Sequence, residues 1–182
     1  MLGLIWNTVN DTLELSQKSF DLNHSPATKR HVLQQSSKSF DPLGMTSPVT
    51  IRAKLLLQTL WQKKVTWDEP LSSEHQQLWQ TLLYDLQHLH RISIPRYYWK
   101  DGTTTNLPVE LHLFSDASTK AYGAVGYLHK GTSTSFIIAK ARVCPLKPLT
   151  LPKLELMGAT IATQLFRVIK TSIGDAVNSV CK

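Results

Sequence analysis

The chain has 182 residues, 42% of them hydrophobic, so it is long enough to bury one core or two small ones and is not a solvated tail. Its net charge of +7 suits a polyanionic partner. No stretch approaches the roughly 18 apolar residues of a membrane span, and the apolar start from Met1 to Val9 is short and lacks the basic flank of a signal peptide.

Met1 to Trp6 reads as a strand, Asn7 to Asp11 as a turn, and Thr12 to Leu15 as the return strand of a hairpin. No further sheet partner is evident for this hairpin, which suggests that the parent protein begins upstream. Ser25-Pro26 opens a helix, with Ser25 as N-cap and Pro26 in the first turn, running to about Lys38. Phe40-Asp41-Pro42-Leu43-Gly44 breaks that pattern. Ser47-Pro48 opens a second helix with Ile51, Leu55, Leu56 and Leu60 on its apolar face. A third starts near Ser73, with Gln76 placed for a capping box and Leu78, Leu82, Leu83, Leu86 and Leu89 at helical period. Ile94 to Pro108 reads as a linker.

The period then changes to two. Leu111–Ser118, Ala121–His129 and Thr134–Val143 are three expected strands, with a turn at Gly131-Thr132-Ser133. A helix follows from Leu151 to about Ile173, and Val177 to Cys181 begins a fourth strand. Charge follows this division. Residues 25–64 carry seven Lys and Arg against one acid, and residues 111–182 carry nine against three, whereas the intervening blocks are net acidic. Two basic blocks fit a two-module chain that tracks a phosphate backbone. Cys144 and Cys181 have no metal-type spacing, so a reducing intracellular setting is expected.

Asp116 and Glu155 are the most informative pair. Asp116 closes an alternating run, and Glu155 lies near the start of an amphipathic helix whose apolar stripe is Leu154, Met157, Ile161, Leu165 and Val168. Gly158, Ala159 and Ala162 run beside it and allow close approach to a sheet. A strand acid and a helix acid arranged in this way can share a divalent metal, for which Mg²⁺ prefers carboxylate oxygen. The bland alternatives are a favourable charge near a helix N-terminus for Glu155 and a turn residue for Asp116.

Ordered motifs over nearly the whole chain resemble the Pol polyprotein of BEL/Pao-type LTR retrotransposons. They include Leu2-Gly3-Leu4-Ile5-Trp6-Asn7, Phe40-Asp41-Pro42-Leu43-Gly44, Pro48-Val49-Thr50-Ile51, Trp67-Asp68-Glu69, Leu113-Phe114-Ser115-Asp116-Ala117-Ser118 and Leu151-Pro152-Lys153-Leu154-Glu155-Leu156. The resemblance implies an α+β chain. Residues 1–24 would end a reverse transcriptase palm, and 25–95 would form a helical thumb- or connection-like module. After a linker at 96–108, residues 109–182 would be the N-terminal half of a ribonuclease H-like α/β domain with a mixed sheet. It further implies a parent that performs reverse transcription and metal-dependent hydrolysis of RNA in RNA–DNA hybrids. Asp116 and Glu155 would be catalytic ligands of Mg²⁺, and a third acid would follow just after Lys182, leaving this chain catalytically incomplete.

The implied partners are an RNA–DNA hybrid and the remainder of the Pol polyprotein, with no membrane. Lys29, Arg30, Arg52, Lys54, Lys63 and Lys64 are the expected phosphate contacts. Trp6, Trp61, Trp67 and Trp79 are expected mainly as core anchors, with base stacking as the alternative. His75, His88, His90 and His112 do not form a metal-ligand pattern. Neither a Tyr-x-Asp-Asp polymerase motif nor an Asp-Thr/Ser-Gly protease motif occurs. Two other functional classes remain at this point: a non-catalytic, retrotransposon-derived nucleic-acid-binding protein, and, more weakly, an aspartic peptidase, which some labels of the resembled family suggest.

Overall fold

The computed structural model of the chain describes residues 3–16, 19–21, 26–99, 107–173 and 178–181, and two apolar clusters organise them. The first cluster gathers a small sheet and three helices. Strands β1 (Leu4–Asn7) and β2 (Thr12–Leu15) form the expected antiparallel hairpin, with Leu4 opposite Leu15 and Asn7 opposite Thr12. A third strand, β3 (Ser93–Pro95), pairs antiparallel with β2 and sets Ile94 opposite Leu13. The linker expected from Ile94 onward therefore begins later. Arg96 fastens this return, because its Nε donates to the Asp11 carboxylate at 2.6 Å. Residues 100–106 of that linker lie outside the described residues.

The helices are α1 (Lys29–Ser36), α2 (Ser47–Gln62) and α3 (Ser73–Gln87). Helix α1 starts later than Ser25-Pro26 suggests. Its N-cap is Thr28, whose hydroxyl accepts from the His31 N–H at 3.2 Å, and Ser25 lies outside the described residues. Pro48 sits in the first turn of α2 as expected. The capping box at Ser73 does not form. The N-cap is Ser72, and the Gln76 side chain accepts from the Ala27 N–H at 3.0 Å, tying α3 to the entry of α1. Leu56, Leu60, Trp79, Leu82, Leu83 and Leu86 fill the cluster. Leu78, expected on the core face of α3, is 51% exposed, and Trp79 occupies the core instead. At about 100° per residue Trp79 falls between Leu82 and Leu83 on the buried face, whereas Leu78 lies to one side of it.

The second cluster lies between a four-stranded sheet and one long helix. Strands β4 (Glu110–Ala117), β5 (Ala121–Lys130), β6 (Ser133–Val143) and β7 (Asn178–Cys181) stand in the order β6-β5-β4-β7. The β4–β5 and β5–β6 pairs are antiparallel and β4–β7 is parallel, so the sheet is mixed, as expected. Alternation decides the faces. Leu111, Leu113, Tyr122, Ala124 and Leu128 are buried beneath helix α4 (Leu151–Ile173). On the helix the buried residues are Leu154, Gly158, Ile161, Leu165 and Ile169. Val168, expected in the stripe, is 55% exposed, and Ile169 takes its place.

Helix α2 packs on β6 and joins the two halves. The Ala139 N–H donates to the Leu43 carbonyl at 2.8 Å, and Gln58 Nε2 donates to the Cys144 carbonyl at 2.5 Å. Among the described residues no helix is long and apolar enough to cross a membrane.

The burial pattern predicts unequal costs for two leucine deletions. Leu60 is fully enclosed, so Leu60→Ala should destabilise by roughly 2–5 kcal/mol. Leu78→Ala should stay within about 0.5 kcal/mol. Urea unfolding of both variants checks this; equal midpoints would contradict the assignment of the α3 core face.

Candidate functional site

Asp116 stands one residue from the end of β4, opposite Gly123 on β5. Its carboxylate is exposed, and one oxygen accepts the Ala117 N–H at 2.8 Å, which holds the side chain. Glu155 is also exposed, at the fifth position of α4. It lies beyond the helix's first turn, which holds no acid, so the macrodipole explains it less well than its sequence position suggests.

Gly158 relates the two acids. It is buried where α4 crosses the sheet, and a Cβ there would lie 3.2 Å from the Asp116 carbonyl oxygen and 3.6 Å from that of Gly123. Residues three apart on a helix share a face. Glu155 therefore projects one turn before the point where the helix touches the Asp116 backbone. Asp116, one residue from the end of β4, and Glu155, near the start of α4, are both exposed.

Two hard oxygen donors fit Mg²⁺, which binds through one or two carboxylates and completes its octahedron with water or substrate phosphate. Among the described residues no group of three or more His, Cys, Asp or Glu is placed to hold a metal. The histidines are occupied elsewhere. His88 Nδ1 donates to the Tyr84 carbonyl and His90 Nδ1 to the Gln87 carbonyl, both at 2.7 Å. His112 Nε2 meets Glu110 at 2.8 Å, and His75 is buried against the Ser72 hydroxyl. Nearby, Cys144 directs its thiol at the Ser118 carbonyl, and burial raises its pKa above the usual thiol value, keeping it neutral.

The six expected phosphate contacts divide. Lys29 is 3% exposed; its ammonium lies 3.5 Å from the centroid of the Trp61 ring and donates to the Val65 carbonyl at 3.1 Å. Buried there, it cannot meet a phosphate. Arg30 makes a two-pronged pair with Asp68, and that hydrogen bond raises the guanidinium pKa and lowers that of the carboxyl. Arg52 pairs with Asp85 at 2.5 Å. Lys54, Lys63 and Lys64 are exposed and, among the described residues, have no acidic partner within 4.0 Å. Of the four tryptophans weighed, only Trp79 is a core anchor. Trp6 and Trp61 are each 54% exposed, and Trp61 meets Trp67 edge-to-face at 5.3 Å above Lys29.

The sequence reading missed an apolar hollow of about 600 Å³ on the sheet face away from α4. Phe114, Tyr127 and Phe136 line it from the sheet, Met45 and Ile51 from the helical half, and Asp116 at its margin. The available signal was the alternate set of β4 and β5, which is also apolar at Phe114, Val125 and Tyr127.

Comparison with known proteins agrees with the fold. A model of the Pao retrotransposon-like RNaseH-like domain matches residues 28–181. The fold is similar to that of the foamy viral protease-reverse transcriptase dRH in complex with double-stranded DNA, at TM-score 0.55 and 14% identity, covering 100% of this chain and 30% of the other. It is also similar to the foamy viral protease-reverse transcriptase in complex with double-stranded DNA, at TM-score 0.54 and 16% identity, covering 100% of this chain and 36% of the other. A complex of that enzyme with an RNA/DNA hybrid gives TM-score 0.50 at 13% identity, with 98% and 24% coverage. The chain thus spans about a third of the first two proteins, and at these identities the likeness is one of fold. No curated protein matches the sequence.

The contact at Gly158 predicts a size limit. Gly158→Ala gains helix propensity and meets only two oxygens at 3.2 and 3.6 Å, so it should stay within about 1 kcal/mol of the unmodified chain. Gly158→Val should destabilise by roughly 1–3 kcal/mol through overpacking and shift the Ala117 and Gly123 amide resonances. Unchanged resonances in the Val variant would show that α4 does not rest on Asp116.

Proposed function

Because this chain belongs to the family of Pao retrotransposon-like RNaseH-like domains, we propose that it is a portion of a retrotransposon Pol polyprotein that grips an RNA–DNA hybrid and contributes Asp116 and Glu155 to hydrolysis of the RNA strand. The observation that supports this reading is the contact of Gly158, one helical turn after Glu155, with the Asp116 backbone. Asp116, held by the Ala117 N–H, and Glu155 would together hold Mg²⁺. When bound, Mg²⁺ supplies charge to the phosphate under attack and lowers the pKa of the attacking water. Lys54, Lys63 and Lys64 contact phosphates along the strand, while Lys29, Arg30 and Arg52 brace the helical half. The remainder of the Pol polyprotein supplies the other catalytic groups, inside the cell. Two carboxylates hold a divalent ion weakly, so this chain by itself cuts hybrid poorly or not at all.

Fluorescence anisotropy with a labelled RNA–DNA hybrid tests the grip. Three phosphate contacts should weaken binding roughly 40-fold between about 50 and 200 mM salt, and Gln at Lys54, Lys63 or Lys64 should each reduce the salt slope by about one. No binding at about 50 mM salt would refute the reading. Incubation with Mg²⁺ should leave the hybrid intact; cleavage lost on Asp116→Asn would keep the site and overturn the incompleteness.

A further inference from the structure

The Phe40-Asp41-Pro42-Leu43-Gly44 turn has no part in the site described above, yet its geometry is closely specified. The Asp41 carboxylate accepts three hydrogen bonds: from the Gly44 N–H at 2.8 Å, the Thr46 N–H at 2.6 Å and the Thr46 hydroxyl at 2.7 Å. Thr46 is 1% exposed, so this network is shielded. Gly44 has φ +75°, a backbone state that favours glycine, and a Cβ on it would fall on the Ala139 carbonyl. So folded, the turn presents the Leu43 carbonyl to the Ala139 N–H at 2.8 Å.

Ala139 lies on β6, the edge strand of the sheet. Its N–H is among those left over when β6 pairs with β5, and unpaired edge groups are templates for unwanted strand pairing. The turn caps one of them. One residue past the C-terminal end of β6, Gln58 of α2 donates to the Cys144 carbonyl at 2.5 Å. The helical half is thus fastened once within β6, at Ala139, and once just beyond its end, at Cys144. Asp41, Gly44 and Lys54 line one wall of a crevice of about 470 Å³, and Gln164, Leu165 and Val168 of α4 line the other.

We propose that the Asp41–Gly44 turn is a clasp that locks the helical half to the outer edge of β6, with Asp41 and Gly44 as its positioning residues. The clasp fixes the gap between Lys54 and the helix that carries Glu155. Resting on the nucleic-acid reading above, this makes it the element that sets the spacing between the phosphate grip and the carboxylate pair.

Amide hydrogen exchange of the full chain, resolved by residue, tests the clasp without requiring hybrid. Ala139 should exchange at least tenfold more slowly than Ala141, whose N–H faces outward from the same edge two residues on. Gly44→Val should remove that difference while Leu113, in the sheet core, stays protected. Asp41→Asn, a milder change that removes one acceptor, should reduce the difference by roughly threefold to tenfold. If Gly44→Val unfolds the chain, so that Leu113 also loses protection, the Asp41→Asn result decides. Equal exchange at Ala139 and Ala141 in the unmodified chain, or full Ala139 protection in Asp41→Asn, overturns the clasp. A protected Ala139 in a chain that binds no hybrid supports the clasp and refutes the nucleic-acid reading.

Discussion

The missing side chain at Gly158 is the constraint on which the site depends. Because it has no Cβ, α4 lies close enough to β4 and β5 to meet the carbonyls of Asp116 and Gly123. A residue larger than alanine would lift the helix at this crossing. The rest of the helix contact is ordinary apolar packing of Leu154, Ile161, Leu165 and Ile169 over Leu111, Leu113 and Leu128. That packing supplies most of the adhesion, and the glycine supplies the register. Both acids remain open to water.

The basic surface is selected by pairing more than by composition. Positive charges in the helical half divide between bracing and free ones. Lys29 is enclosed beneath two tryptophan rings, where cation–π attraction and one carbonyl replace its lost hydration. Arg30 and Arg52 are held by carboxylates. Lys38 donates to the Ser19 carbonyl at 2.9 Å and Lys63 shares a hydrogen bond with His75 Nε2 at 3.3 Å, whereas Lys54, Lys64 and Arg91 are exposed with no ion pair among the described residues.

Much of the fold was legible because its elements follow simple periods. Alternation over 111–143 gave three strands, and the run from Leu151 gave α4. The two acids were singled out in the sequence because a Glu beside a small-residue strip is an odd choice for a packing surface, and the structure places both on the surface. The misses have physical causes. Ser93–Pro95 is too short for a period to show, and its strand identity comes only from pairing with Leu13 across some eighty residues of chain. Thr28 outcompeted Ser25-Pro26 as a helix start by bonding the His31 N–H. Lys29 looked like surface because sequence cannot show that Trp61 and Trp67, more than thirty residues on, fold over it. The turn at Asp41–Gly44 reads as a helix break in sequence, and its engagement with β6 is visible only in three dimensions.

The measurement that tests the central claim most directly is Mn²⁺ titration of the chain, followed by paramagnetic broadening of backbone amide signals. If Asp116 and Glu155 share one ion, the amides of Ala117 and of residues flanking Glu155 should broaden together at the same metal concentration. Asp116→Asn or Glu155→Gln alone should remove both effects. Broadening at one acid that survives loss of the other would show two separate, adventitious contacts and would contradict a shared site.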